Sequence, residues 1–219
     1  MKLSRFNLKM QWFKTGIREL ESVDWAYFLD EYGKLVKKTD RVLEIGASHI
    51  ARTKQLAASC AELTGLEIMP ERKPDDFGNV RFKTGNWEKL SGIFEPESFD
   101  MVLSSHVIEH VEHDVMAMKE LYKTLKPGGA AIITTPNIMR MAAVIEKLFK
   151  GPKIFPWFEH MREYDEPGLI RLIKEAGFIK YEIIPIAFGI TGWKLFIYIE
   201  PVPQKLRKYC CFWMVKLFK

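Results

Sequence analysis

Two groups of polar residues have side chains that can take a proton from a hydroxyl group or approach a metal ion. His106, Glu109 and His110 stand at offsets of three and four, which would place them on one face of a helix. His160 opens a polar run over residues 160–166, where an imidazole could act as a general base near neutral pH. The alternatives are that Glu109 and His110 shape a loop, and that His160 organises its own loop and caps the next helix.

A glycine and a glutamate mark the ends of the first two strands that the pattern predicts. Gly46 follows the first strand, and Glu67 ends the second strand 21 residues later. A glycine there lets the backbone turn sharply and approach a ligand closely. A carboxylate about 20 residues after such a glycine is well placed to accept hydrogen bonds from the hydroxyls of a ribose. The alternative is a capping glycine and a solvated glutamate.

The third and fourth predicted strands also end in polar residues. Asn86 and Trp87 follow the third strand and offer an amide and an indole where a purine ring would lie. Ser104 and Ser105 end the fourth strand, directly before His106. Open α/β sheets bind ligands at the carboxyl ends of their strands, so these residues are candidates for one site.

The elements that must position these residues alternate along the chain. Strands are predicted at residues 41–45, 62–67, 80–83, 99–105, 130–135, 181–187 and 211–218. Helices are predicted at about 51–61, 114–125, 138–149 and 166–177. This alternation predicts an α/β fold: a Rossmann-like doubly wound sheet of about seven strands, mostly parallel with an antiparallel last strand. Apolar residues at helical spacing predict an N-terminal helical lid over residues 1–38, ahead of one domain at 39–219.

Charge is concentrated at the two ends of the chain. The 219 residues carry a net charge of +5, and residues 201–219 hold five basic residues and no acidic one. Charge elsewhere is too diffuse to indicate nucleic-acid binding, and no apolar run approaches the length of a membrane span. A signal peptide is not expected either. Three cysteines without metal spacing (Cys60, Cys210 and Cys211) favour a reduced, intracellular protein.

The polar motifs occur in a recognisable order. That order is Glu44-Ile45-Gly46, Glu67, Gly85-Asn86, Phe99-Asp100, Val107-Ile108-Glu109-His110-Val111, Leu125-Lys126-Pro127-Gly128-Gly129 and Thr135-Pro136-Asn137. With these motifs, the chain resembles the class I S-adenosylmethionine-dependent methyltransferases from about residue 39 to residue 177. The similar branch contains the quinone-pathway O-methyltransferases and the sugar or glycan methyltransferases.

The resemblance implies S-adenosylmethionine as cofactor and a set of residues that bind it. The turn at Gly46 would cradle the methionine part, Glu67 would hold the ribose, and Asn86 would border the adenine. The full implied set is Glu44, Gly46, Ala47, Ser48, Glu67, Ile68, Asn86, Trp87, Ser104, Ser105 and His106. His160 and His106 are the implied catalytic residues, and no metal site is predicted.

The chain departs from the family pattern at three places. Ser48 and Ile50 stand where the first turn usually has its second and third glycines, and Asn86 replaces the usual aspartate. His106 replaces a glutamate that, with the equivalents of Glu109 and His110, is associated with a divalent ion in the quinone-pathway enzymes. Since Mg²⁺ prefers oxygen ligands, this change argues against a hard-cation site.

The expected function is transfer of a methyl group to a hydroxyl of a small-molecule, glycan or lipid-linked acceptor. The changes at Ser48 and Ile50 motivate the alternative of a catalytically weak pseudo-methyltransferase that acts as a binding module. A dehydrogenase is disfavoured because no Gly-x-Gly-x-x-Gly motif is present. Aromatic residues that could line an acceptor pocket are Phe155, Trp157, Phe158, Phe188, Trp193, Phe196 and Tyr198.

The basic C-terminal segment allows two interpretations. Its composition is typical of an amphipathic helix on a membrane surface, but the fold needs a last antiparallel strand, and residues 211–218 are the best candidate. Lys205, Arg207 and Lys208 would then lie exposed in the preceding connection. We expect a cytoplasmic protein whose basic ends can contact anionic lipid at the inner face of a membrane.

Overall fold

A computed structural model describes residues 7–12, 16–141, 143–145, 160–191 and 195–219. Its strands, in chain order, are β1 (Asn7–Trp12), β2 (Arg41–Ile45), β3 (Glu62–Glu67), β4 (Val80–Thr84), β5 (Phe99–Ser105), β6 (Leu125–Pro136), β7 (Lys180–Ile186), β8 (Phe188–Thr191), β9 (Leu195–Glu200) and β10 (Phe212–Phe218). Its helices include α1 (Gly16–Leu35), α2 (Ile50–Ala57), α3 (Asp114–Thr124) and α4 (Glu166–Glu175). Residues 141 and 143–145 are also helical.

Seven strands form the central sheet in the order β4-β3-β2-β5-β6-β10-β7. The pairs β2–β3, β2–β5, β3–β4 and β5–β6 are parallel, whereas β10 runs antiparallel to both β6 and β7. The predicted fold class is therefore confirmed, including the antiparallel last strand. Strand order reverses beside β2, which is where an open α/β sheet forms its ligand crevice.

Helices cover both faces of this sheet, so side chains along each central strand alternate between two cores. On one face Phe28 and Tyr32 of α1 pack with Leu56 of α2. On the other face Leu121 of α3 and Leu172 of α4 share a core. The central strands are buried on both sides, as expected for parallel strands between two helical layers.

The predicted helix at 166–177 has the expected signals at both ends. The Asp165 side chain accepts a hydrogen bond from the Gly168 N–H at 2.8 Å and caps the start of α4. Gly177, just past the end, has φ +98°, a conformation that glycine adopts without steric cost. Of the helix predicted at 138–149, residues 146–149 lie outside the described part of the chain.

A small antiparallel sheet in the order β1-β9-β8 was not predicted. The helical prediction for residues 1–38 is correct for Gly16–Leu35 but wrong for Asn7–Trp12, which pair with Glu200–Leu195. Local apolar spacing cannot reveal a pairing with a segment almost 190 residues away. The role of the N-terminal segment as a lid stays a prediction.

The small sheet contains part of the predicted aromatic acceptor wall. Phe188 begins β8, and Phe196 and Tyr198 lie in β9. The other predicted wall residues (Phe155, Trp157, Phe158 and Trp193) lie outside the described residues. Because β8 continues from the carboxyl end of β7, this sheet stands at the carboxyl edge of the central sheet.

Two other sequence expectations need correction. Strand β6 begins at Leu125, not at residue 130, because Leu125 already pairs with Phe99. Arg207 is not an exposed cation: its guanidinium donates to Glu166 at 2.7 Å and to the Ile183 carbonyl at 2.6 Å. Lys205 and Lys208 remain exposed. Their contact with anionic lipid stays a prediction.

Among the described helices, none is both long enough and apolar enough to span a membrane.

Asn137, the last residue of the Thr135-Pro136-Asn137 motif, has a structural role. Its buried amide donates to the carbonyls of Lys208 and Cys210, both at 2.9 Å. Its side-chain oxygen accepts a hydrogen bond from the Met139 N–H at 3.0 Å. The side chain thus joins the end of β6 to the segment that leads into β10.

We predict that Asn137→Ala lowers the free energy of unfolding by about 2–4 kcal/mol, because the carbonyls of Lys208 and Cys210 lose their partner. Urea denaturation measures the change. Lys208→Ala is the matched control, since it removes an exposed side chain and leaves the Lys208 carbonyl in place. It should change stability by less than about 0.5 kcal/mol. Equal stability of the two variants would contradict this role of Asn137.

Candidate functional site

The carboxyl ends of β2, β3, β4 and β5 bring the predicted cofactor residues to one edge of the sheet. Gly46 follows β2, Glu67 ends β3, Asn86 lies two residues after β4, and His106 follows β5. Because these strands are adjacent and parallel, residues far apart in sequence meet at this edge. The structure thus groups the residues that the sequence proposed for one site.

The turn at Gly46 is closely packed. Gly46 has φ +81°, and a β-carbon built there would lie 2.5 Å from Cγ2 of Val107. The N–H groups of Gly46 and Ala47 both donate to the carbonyl of Leu66, at 2.8 and 3.2 Å. A glycine is required here both by the backbone conformation and by the contact. Ser48 and Ile50, which follow the turn, are both exposed.

Glu44 is a buried carboxylate one residue before the end of β2. Its Oε2 atom has no hydrogen-bond partner among the described residues. Burial raises the pKa of Glu44 to about 7, and it outweighs the opposing effects of Thr53 and Arg52. A buried acceptor of this kind is available to a ligand donor at the edge of the sheet.

Glu67 is buried at the end of β3, beside two exposed apolar side chains. Its Oε1 atom accepts a hydrogen bond from the Met69 N–H at 3.1 Å. Ile68 is 59% exposed and Met69 is 40% exposed. A carboxylate beside exposed apolar surface suits a ligand that has both hydroxyls and a flat ring.

Asn86 and Trp87 have structural roles of their own. The Asn86 side-chain oxygen accepts from the Glu88 N–H at 2.8 Å and caps the short 3₁₀ helix Trp87–Gly92. Trp87 is 3% exposed and packs in the core with Leu90. Its Nε1–H has no hydrogen-bond partner among the described residues. Their contact with adenine stays a prediction.

His106 lies between two buried carboxylates. Its Nε2 atom is 2.8 Å from Oδ2 of Asp24, and its Nδ1 atom is 3.3 Å from Oε1 of Glu109. Burial alone would lower the pKa of His106, but the two carboxylates raise it to about 10. His106 also has φ +55°, an uncommon conformation for a residue other than glycine. The side chain is therefore an imidazolium held from both sides, which cannot accept a further proton.

Asp24 is the residue of this site that sequence reasoning missed. It lies on α1, is 1% exposed, and also accepts from the Thr134 hydroxyl at 3.3 Å. In the sequence it is one acid among several in an amphipathic helix, with no motif around it. Only the packing of α1 across β6 places it beside His106.

His160 is held by a buried ion pair. Its Nδ1 atom is 2.9 Å from Oε1 of Glu163, and Glu163 pairs with Arg140 at 2.6 Å. The rings of His160 and His110 meet edge to face, with centroids 4.9 Å apart. The two groups of histidines that are separate in the sequence thus meet in the fold. The contact between them is made by His110 and His160, and His106 takes no part in it. Glu163 also lines a cavity of about 460 Å³ between the starts of α3 and α4.

Of the six buried polar side-chain atoms without a hydrogen-bond partner among the described residues, four lie near this edge of the sheet, and the other two are the indole nitrogens of Trp87 and Trp213. Among the described residues, Oδ1 of Asp24, Oε2 of Glu44, Oγ of Ser104 and Oε1 of Glu109 have no hydrogen-bond partner. Buried polar groups are normally paired. These carboxylate oxygens and the Ser104 hydroxyl can accept hydrogen bonds from a ligand. They therefore suit a cofactor whose amino-acid end carries a positively charged ammonium group. The residues present therefore fit S-adenosylmethionine.

We predict that the stability of the wild-type protein falls relative to that of Glu44→Gln as pH rises from about 4.5 to about 7. The pKa of Glu44 is about 7 in the folded protein, against 4.5 for an ordinary glutamate. The folded protein therefore keeps a proton that the unfolded chain releases, and the stability this provides is lost as pH passes the higher pKa. The relative change should be on the order of 3 kcal/mol in urea denaturation. Parallel pH profiles of the two proteins would contradict the burial of a titrating carboxyl group at this position.

Comparisons with known proteins agree with this geometry. Residues 26–133 match a family model described as a methyltransferase domain. The chain is 34% identical over 164 residues to a demethylmenaquinone methyltransferase of Chlorobaculum tepidum, covering 62% of this chain and 66% of the relative. A demethylmenaquinone methyltransferase of Staphylococcus aureus is 27% identical over 188 residues, covering 73% of this chain and 76% of the relative.

Solved structures share the fold at low sequence identity. A putative methyltransferase from Bacillus halodurans aligns with a TM-score of 0.63 and 13% identity, over 90% of this chain and 98% of that chain. An S-adenosylmethionine-dependent methyltransferase from Archaeoglobus fulgidus aligns with a TM-score of 0.63 and 16% identity, over 90% and 94%. The family match, the curated relatives and the shared fold lead to one assignment. Residues 26–133 thus form a methyltransferase domain of the class I S-adenosylmethionine-dependent type, with relatives in the quinone pathway, and the cofactor of this type is S-adenosylmethionine.

Proposed function

We propose that the protein transfers a methyl group from S-adenosylmethionine to a hydroxyl of a small-molecule, glycan or lipid-linked acceptor. The observation that carries this proposal is the edge of the sheet where the Gly46 turn, the Glu67 carboxylate and the open polar atoms of Glu44 and Ser104 come together. The curated relatives are named for a demethylated quinone, which supports an acceptor that is a small organic molecule.

Different residues of this edge would contact different parts of the cofactor. The turn at Gly46, with Ala47 and Ser48, would face the methionine part, and Glu67 would accept hydrogen bonds from the ribose hydroxyls. Exposed Ile68 offers apolar surface to the adenine. When bound, S-adenosylmethionine would supply a methyl group on a sulfonium for transfer to the acceptor oxygen, with S-adenosylhomocysteine as the leaving group. The protein contributes alignment of the two reactants and exclusion of water.

The cluster of His110 and His160 is the place where the acceptor hydroxyl is activated. His106 is a poor base, because its two ring nitrogens face Asp24 and Glu109 and its pKa is raised to about 10. His160 has one ring nitrogen engaged by Glu163, which leaves Nε2 to take the hydroxyl proton. Of the two catalytic residues that the sequence proposed, we therefore retain His160 for this step.

A binding module without methyl transfer is the alternative that Ser48 and Ile50 motivated. The match of residues 26–133 to a methyltransferase-domain model supports the enzyme instead. The two proposals differ in whether affinity for the cofactor depends on this edge of the sheet.

We predict that Glu67→Ala weakens binding of S-adenosylmethionine by about 10- to 100-fold, because hydrogen bonds to a charged group are lost. Isothermal titration calorimetry with S-adenosylmethionine and S-adenosylhomocysteine measures the affinity. Glu62→Ala, at the amino end of the same strand β3, is the matched control and should bind as the wild type does. No binding of either ligand by the wild-type protein would exclude the enzyme.

We also predict that Gly46→Ala loses more than about tenfold in affinity for S-adenosylhomocysteine, because the methyl group forces Val107 or the turn to move. Gly128→Ala is the control: Gly128 has φ +78°, close to that of Gly46, but has no atom within 4 Å of the built β-carbon. Both variants carry the same backbone strain, so a loss in both would indicate general destabilisation. A binding module would keep its partner in the Gly46 variant.

A further inference from the structure

The cavity between the starts of α3 and α4 is lined by residues other than those proposed to bind the cofactor. Its walls are the first turn of α3, Ile138 after β6, residues 162–165 and one face of α4. Its volume is about 460 Å³, which is within the range of small-molecule sites, about 300–1,000 Å³. The cavity is therefore large enough for a second ligand beside the cofactor.

The lining of this cavity is mainly polar. Seven of its eleven residues carry a charge or a hydroxyl group. An apolar ring system placed among them would remove water from these groups without replacing the hydrogen bonds that the water makes, which is costly. The lining therefore disfavours a flat aromatic acceptor and favours a molecule that can form many hydrogen bonds.

The wall formed by α3 and residues 162–165 is held in place by its own contacts. The Arg162 guanidinium donates to the carbonyls of Val111 and Glu112, at 2.9 and 2.7 Å. The Asp114 carboxylate accepts from the Tyr164 hydroxyl at 2.9 Å and lies 3.3 Å from the Arg162 guanidinium. Because these groups are already fixed, little side-chain entropy is lost when a ligand binds against them.

The opposite wall, on α4, carries polar groups that are open to a ligand. Its lining residues recur at offsets of three, four and seven, which places them on one face of the helix; they are Gly168, Arg171, Leu172 and Glu175. Arg171 and Glu175 are exposed, and neither has a hydrogen-bond or ion-pair partner among the described residues. A guanidinium that only donates and a carboxylate that only accepts thus lie one helical turn apart on the same wall.

The charges of the lining disfavour a strongly charged ligand of either sign. Four carboxylates and two guanidinium groups line the cavity, and Arg140 balances the carboxylate of Glu163 from behind the wall. A phosphate would meet the carboxylates, and a cation would meet the guanidinium groups. Because a hydroxyl group both donates and accepts hydrogen bonds, a neutral molecule with several hydroxyls can pair with both kinds of group.

We propose that this cavity binds a sugar, and that the methyl acceptor is therefore a carbohydrate. Sugar hydroxyls would accept hydrogen bonds from Arg171 and donate them to Glu175, while the aliphatic side chains of Val115 and Ile138 would face the C–H groups of the ring. Glu163 lines the cavity and lies 2.9 Å from Nδ1 of His160. The sugar would thus lie next to the histidines proposed to activate the acceptor hydroxyl.

This inference rests on the proposed function and narrows its acceptor to one chemical class. The curated relatives are named for a demethylated quinone, so a sugar acceptor would distinguish this chain from them. The cofactor edge around Glu67 is a separate part of the site. Binding of the sugar and binding of the cofactor can therefore be measured independently.

The test is saturation-transfer NMR of the protein with S-adenosylhomocysteine bound. The probes are methyl glucoside, methyl mannoside and methyl rhamnoside, with naphthol as an aromatic compound that also carries a hydroxyl. We expect at least one glycoside to bind more tightly than naphthol. Arg171→Ala and Glu175→Ala should each weaken binding of that glycoside by about 10-fold, because hydrogen bonds to a charged group are lost. Lys174→Ala is the matched control, because Lys174 is exposed on the same helix and does not line the cavity.

Binding of S-adenosylhomocysteine by each variant shows whether it is folded, since none of the three altered residues belongs to the cofactor edge. Glycoside binding that is unchanged in both the Arg171 and the Glu175 variants would overturn the proposal, because the sugar would then lie elsewhere. Tighter binding of naphthol than of every glycoside, or no binding of any of the three glycosides, would overturn it too. Those results would leave methyl transfer to another hydroxyl in place, since the proposed function fails only if the cofactor does not bind.

Discussion

The turn after β2 is the constraint on which the rest of the site depends. Gly46 adopts φ +81° and lies against Val107, while its N–H and that of Ala47 share the carbonyl of Leu66. One tight turn therefore fixes the ends of β2 and β3 and the segment after β5 relative to one another. A side chain at Gly46 would separate these three segments, and the polar residues that follow them would no longer converge.

Buried charge is unevenly distributed in this fold, and most of it lies where the cofactor and the acceptor are proposed to meet. Asp24, Glu44 and Glu109 are all buried near the carboxyl edge of the sheet, and each has an oxygen without a partner among the described residues. Such burial costs stability unless something compensates it. His106 compensates two of these carboxylates. The open oxygens that remain are available to a cationic ligand, so the site gains binding capacity at the expense of stability.

The sequence was a good guide where a structural signal is local. Strands β3 and β5 have the predicted boundaries, because apolar runs between polar ends define buried parallel strands. The alternation of strands and helices and the ordered motifs were enough for the fold and for the grouping of Gly46 with Glu67. The residues at 7–12 show the limit, since their apolar spacing is helical but their pairing with β9 makes them a strand.

The contacts that define the chemistry could not be predicted in the same way. Asp24 meets His106 across 82 residues, and Glu163 orients His160 from within a loop that has no periodic pattern. Sequence spacing grouped His106 with His110 because they are neighbours along the chain. Side-chain pairing in the fold separates them, since one faces Asp24 and the other faces His160.

The central claim is that S-adenosylmethionine binds at the carboxyl ends of β2, β3 and β5. Hydrogen exchange followed by mass spectrometry, with and without S-adenosylhomocysteine, tests this claim most directly, because it locates the bound ligand on the chain. The account predicts slower exchange of backbone amides at residues 44–48, 67–69 and 104–107, with little change at the amino ends of the same strands. Protection confined to other segments, such as those around the cavity between α3 and α4, would contradict it.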